Sequence, residues 1–178
     1  MATRPAPVSP KFWNLWRIAR WTIVAGLLLL PLIAMQFTNE VNWTPGDFVF
    51  AAILIGGSAL AYNVAVLTSA GHAYRGGVAL ALAASFLLIW INGAVGIIGN
   101  EDNPANLMFA APLAIAFLGA LLSRFSARGM AWTMATAAIA QIAVGLIALA
   151  MGMLIPFVTL FFAALWGASG ALFRKAAG

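Results

Sequence analysis

From Met130 to Phe173 the chain runs without a single charged residue. As one straight α-helix that run would be roughly 65 Å long at 1.5 Å per residue, about twice the hydrocarbon thickness of a bilayer. One crossing cannot hold it, so the chain has to double back inside it. Gly152 to Pro156 is the place, because a glycine ends helices readily and a proline opens them. The reading is two helices, at about 130–151 and 154–173, crossing in opposite directions.

The remainder of the chain follows the same pattern. It is 64% hydrophobic and 7% charged, where a soluble domain carries about 25% charged residues. Apolar segments at about 21–37, 45–67, 78–99 and 104–122 bring the count to six. The fold class is therefore all-α: a polytopic membrane protein, with residues 1–178 forming a single membrane domain that is a compact bundle of six transmembrane helices. A mobile tail (1–9) and an interfacial segment (10–20) precede the first crossing. Trp13, Trp16, Arg17, Arg20 and Trp21 mix rings with cations in that segment, a composition suited to the headgroup layer. Small-x-small cleavage signals are missing after Pro31, so the first segment reads as an uncleaved anchor rather than a signal peptide.

Charge placement sets the threading. With six crossings and both termini cytoplasmic, the nine Lys and Arg residues (Arg4, Lys11, Arg17, Arg20, Arg75, Arg124, Arg128, Arg174, Lys175) fall on one side. The four acids, Glu40, Asp47, Glu101 and Asp102, fall on the other. Cations retained on the cytoplasmic side are the signature of inner-membrane topology. The same placement excludes a nucleic-acid partner despite a net charge of +5, since the cations form no continuous stripe. There is no cysteine and one histidine, His72. Thiolate chemistry and a His-rich metal site are thereby excluded, and no cofactor is expected. His72 reads as a solvated loop residue.

Local signals mark the helix ends. Thr44-Pro45-Gly46-Asp47 opens the second segment as a cap, a proline and a capping carboxylate. Asn103-Pro104 opens the fourth in the same way. Pro31 and Pro112 predict kinks in segments one and four. Gly57, Ala61 and Ala65, and again Ala163, Gly167 and Ala171, lie four apart, a spacing that lets helices approach closely. An internal repeat also suggests itself: Arg75–Ile98 lies over Arg124–Ile147 without gaps, with Asn92 on Gln141.

Candidate functional residues are few. Asn63, Asn92 and Gln141 are the deep polar groups, and all are neutral. They serve either as interhelical hydrogen bonds or as the lining of a polar path. The outer-loop residues Glu40, Asp47, Glu101, Asp102 and Asn103, with Asn39, Asn100 and Asn106, offer oxygen ligands to a hard cation. Alternatively they cap helices and keep the loops wet. Gly167-Ala168-Ser169-Gly170 matches the G-x-S-G element of rhomboid intramembrane proteases. No histidine follows Ser169, however, and a serine without a positioned base is a weak nucleophile.

Two stretches carry a resemblance. They are Met35-Gln36-Phe37-Thr38-Asn39-Glu40-Val41-Asn42-Trp43 leading to Asp47-Phe48, and Trp90 to Asn106 (WINGAVGIIGNEDNPAN). They are similar to a family of small uncharacterised bacterial inner-membrane proteins, over about residues 30–150. The resemblance implies a bacterial inner-membrane location and implies no activity. The leading expectation is a non-enzymatic accessory or structural protein that binds lipid, other membrane proteins or itself. A permease or channel for a small neutral solute is the alternative, and an intramembrane enzyme a distant third.

Overall fold

The computed structural model describes Thr22 and residues 25–38, 41–68 and 71–178. The tail and interfacial segment expected before residue 21 lie outside these residues, as do Asn39 and Glu40. The described secondary structure is helical throughout. α1 is Ala25–Ala34; α2 is Pro45–Thr68, α3 His72–Ala94, α4 Ala110–Leu122, α5 Ala127–Ala150 and α6 Pro156–Ala176. A 3-10 helix, Pro104–Phe109, leads into α4. Five helices are long and apolar enough to cross a membrane, the 3-10 helix and α4 counting together as one span. The described part of α1 is shorter than a span.

The chain divides into two compact units, residues 1–57 and 58–178. In the first, Pro31 lies inside α1 and withholds an N–H from the carbonyl of Leu27. The start of α2 is fixed by a reciprocal cap. The Thr44 N–H and hydroxyl both donate to the Asp47 carboxylate, at 2.7 and 2.8 Å. The Asp47 N–H donates back to Thr44 Oγ1 at 3.3 Å. Trp43, just before the cap, meets Phe48 edge-on with ring centroids 5.2 Å apart. This is a capping box with a hydrophobic staple, built with aspartate in the acid position.

The second unit holds α3 to α6. α6 packs on both α3 and α5, and α5 packs on α4. The spatial order is therefore α3, α6, α5, α4, with the last helix of the chain between two earlier ones. The core is Leu88 of α3, Phe109, Met134 of α5, and Phe162, Trp166 and Phe173 of α6, all at or near zero exposure. Among lipid tails this packing gains little from water exclusion, and close van der Waals fit has to hold it. Two crossings achieve that fit in the same way. Thr133 of α5 sits against Gly119 of α4, and Thr159 of α6 sits against Gly145 of α5, each glycine leaving no room for a Cβ. At a third, Gly77 of α3 receives the Phe173 ring, whose carbons lie 3.1 Å from where a Cβ would be.

Several boundaries differ from the hydropathy reading. α3 starts at His72, ahead of Val78, so His72 and Arg75 belong to its first turn. Hydropathy marks only the hydrocarbon part of a span, whereas the helix continues into the polar layer. α3 ends at Ala94 rather than near Gly99, because Gly96 and Gly99 take positive φ of 72° and 70°. α5 starts at Ala127, where the Ser126 hydroxyl accepts from Gly129 N–H at 3.3 Å. The turn expected near Gly152 is present. Gly152 has φ 81°, and Gly152 and Met153 N–H donate to Leu149 and Ala148 carbonyls at 2.9 Å each, a Schellman ending. Pro112 falls in the first turn of α4, where a missing N–H is tolerated. The irregularity comes instead as the 3-10 segment upstream. The proposed repeat does not fit these ends: its register carries His72 onto Leu121, yet α5 begins at Ala127.

Candidate functional site

The three deep amides differ in their surroundings. Asn63 is exposed on α2 and donates to its own helix, to Ala59 O at 2.8 Å. Asn92, half-buried on α3, donates to Leu88 O at 3.0 Å. Its Oδ1 is buried with no hydrogen-bond partner among the described residues. Gln141 on α5 is fully buried, and neither its Nε2 nor its Oε1 has a partner among them. Thr159 Oγ1 and Trp166 Nε1 on α6 share that condition. So α3, α5 and α6 each carry buried polar atoms without a partner among the described residues.

Three of the outer-loop residues, Asp47, Asn103 and Asn106, commit side-chain oxygens to backbone N–H groups. Asn103 Oδ1 accepts from Ala105 N–H at 3.0 Å and caps the 3-10 helix. Asn106 is buried and works as a clasp. Its Oδ1 accepts from Ile97 and Ile98 N–H at 3.1 and 2.8 Å, and its Nδ2 donates to Ile98 and Asn100 carbonyls at 3.3 and 2.7 Å. Asp47 is held by Thr44. Glu101 and Asp102 remain exposed on the loop. Asn103 and Asn106 therefore build the loop, and the Asn106 amide oxygen, already accepting two N–H groups, has little capacity for a cation.

Ser169 has a structural partner. Its hydroxyl is fully buried and donates to the carbonyl of Gly77 at 2.7 Å, tying α6 to α3. The small residues expected to pack beside it do not all do so. Gly167 and Ala171 are exposed, and a Cβ at Gly167 would meet nothing within 4 Å. Gly170, between them, faces α5: a Cβ added there would lie 3.3 Å from Ala131 O. On α2, a Cβ at Gly57 would meet nothing within 4 Å among the described residues, and Ala61 is exposed.

The open stripe of Gly167 and Ala171 forms one wall of a groove of about 660 Å³ between α5 and α6. α5 contributes Arg128, Ala131, Trp132 and Ala135; α6 contributes Gly167, Gly170, Ala171 and Arg174, and Ala177 and Gly178 follow it along the groove. Each set is one helical face at i, i+3, i+4, i+7 spacing. The helices are antiparallel, so the two patterns mirror one another. With Gly170 set against Ala131, Arg128 lies one turn beyond on α5 and Arg174 one turn beyond on α6, at the same end. A second groove of about 410 Å³ runs between α4 and α5, lined by Ala114, Ile115, Leu118, Gly119, Leu122, Trp132, Thr133 and Thr136. Trp132 is the ridge between the two and is 73% exposed. Asn63, Asn92 and Gln141 line neither groove.

The end of the unit that carries the arginines is well defined. The Tyr74 hydroxyl donates to Phe125 O at 2.7 Å, and its ring meets Phe173 edge-on at 5.1 Å. The starts of α3 and α5 and the end of α6 are thus gathered together, bringing Arg75, Arg124, Arg128, Arg174 and Lys175 to one end. Glu101 and Asp102, the acids of this unit, sit on the loop at the opposite end. Sequence reasoning counted Arg128 and Arg174 only as topology signals. The mirrored patterns Arg-x-x-Ala-Trp-x-x-Ala and Gly-x-x-Gly-Ala-x-x-Arg were the available clue. Comparison with protein-family models, curated proteins and solved structures finds no match to this chain.

Proposed function

We propose that this protein is a non-enzymatic accessory component of the bacterial inner membrane, and that it takes membrane partners or lipid on the open faces of α5. In this reading it crosses six times with both termini cytoplasmic. The separation of the second unit's cations and acids to opposite ends supports that threading. The observation that carries the function is the pairing of two open grooves around Trp132 with deep amides that line neither of them. Small residues at such a surface let a partner chain approach closely. A photo-crosslinking residue at Ala135 or Leu118, in cells, is expected to give defined adducts. One at Ala83, on an exposed position of α3, is expected to give none. Indiscriminate labelling at all three sites would sink the proposal.

Passage of a small neutral solute is the second reading. It is favoured by the buried polar atoms of Asn92, Gln141, Thr159 and Trp166, which interrupt the apolar interior of α3, α5 and α6. Under it, Gln141→Leu abolishes uptake while the protein stays folded. Unchanged solute flux in reconstituted vesicles would remove it.

A further inference from the structure

We propose that the α5–α6 groove is a binding site for one anionic phospholipid, with its phosphate between Arg128 and Arg174 and an acyl chain on the Ala131, Ala135, Gly167, Ala171 floor. The inference rests on the reading of the α5 face as an association surface and names its occupant. Three features select a lipid. The two guanidinium groups stand on adjacent helices at one end of the groove and together offer roughly ten N–H donors, in a geometry that matches phosphate oxygens. Below them the floor carries no side chain larger than a methyl group, so an extended hydrocarbon chain lies against backbone and Cβ atoms along its length. Trp132, one helical turn from Arg128, forms a wall of the groove, and indole rings favour the membrane interface.

Charge complementarity decides against other occupants. Arg75, Arg124 and Lys175 add to the positive field at this end, and the acids of the unit lie at the other end. A second copy of the chain, in the same orientation, would bring its own arginines against these. The charged residues ahead of the first apolar segment, Arg4, Lys11, Arg17 and Arg20, are also all cations. An anionic headgroup in the same leaflet brings the missing charge.

The test is native mass spectrometry of the full chain titrated with phosphatidylglycerol or phosphatidylcholine. One phosphatidylglycerol per chain is expected to bind in preference to phosphatidylcholine. Arg128→Ala and Arg174→Ala should each weaken it about tenfold, the ratio for loss of a charge-assisted hydrogen bond. Arg128→Lys should recover part of the loss. Gly167→Leu fills the floor where a side chain has open space, so it should weaken the lipid with folding and charge unchanged. Equal phosphatidylglycerol binding by wild type, the double arginine variant and Gly167→Leu overturns the proposal. So does displacement of the lipid by inorganic phosphate, which would mark a site for a free anion. A chain-to-chain adduct from a photo-crosslinker at Gly167 in phosphatidylglycerol membranes also overturns it, in favour of a second copy. Loss of the lipid preference with specific adducts still formed at Leu118 removes this inference and leaves the wider docking function standing.

Discussion

Asn106 bonds four backbone groups of one loop, whereas Asn103 bonds one. Their substitutions should separate accordingly. Asn103→Ala is expected to cost roughly 1 kcal/mol, the usual worth of a helix cap. Asn106→Ala leaves the Ile97 and Ile98 N–H groups and the Ile98 carbonyl without their side-chain partner, while the Asn100 carbonyl keeps the Asn103 N–H, and should cost at least about 2 kcal/mol. Thermal unfolding in detergent checks both, and equal losses would mean the clasp contributes no more than the cap. Asn103 was legible in the sequence because a cap before proline is a local signal. Asn106 was not, because its bonds reach back to Ile97 and no short motif announces them. Gln141 poses the opposite case, a buried amide that forms no bond among the described residues. Gln141→Met keeps the volume and removes the polar atoms, so it should raise stability by about 1–3 kcal/mol. A loss of stability would show that the amide has a bonding partner in the membrane.

At the scale of elements, the helices meet where glycine faces threonine. Gly119 with Thr133 and Gly145 with Thr159 repeat one contact on two successive hairpins. A methyl group at either glycine forces the neighbouring helix outward. Gly119→Ala and Gly145→Ala should each cost about 1–3 kcal/mol through overpacking. Gly167→Ala, with open space around it, should cost nothing in the same unfolding measurement. Similar losses at all three positions would mean that glycine serves backbone flexibility here, not close approach. Spacing alone had pointed to Gly167 and Ala171 as packed residues. It cannot separate a small residue under a neighbouring helix from one on an open face, since both give the same i, i+4 pattern. Helix existence was readable from hydropathy, because each span is dominated by apolar residues. Helix starts were less so. The first turns of α3 and α5 carry His72, Arg75 and Arg128, which a hydropathy window counts as loop.

For the whole molecule, the expected result of reporter fusions is that positions after Gly178 and within 100–106 report opposite sides of the membrane. The same side for both would exclude the six-crossing arrangement. Five of the six segments were plain from the sequence, yet their spatial order was not. Apolar helices in lipid have many neighbours they can touch, and the choice rests on details such as Ser169 meeting Gly77. That choice places α6 between α3 and α5, which has a consequence for biogenesis. Translation delivers α6 last. Until then Gly77 of α3 lacks its hydroxyl donor, and α5 lacks the cover of Phe162 and Trp166. A chain truncated at Gly152 would therefore keep the α4–α5 contact but leave α3 without a helix partner in this unit. Completion of the last helix joins α3 to the α4–α5 pair, so the unit closes only when its final residues are made.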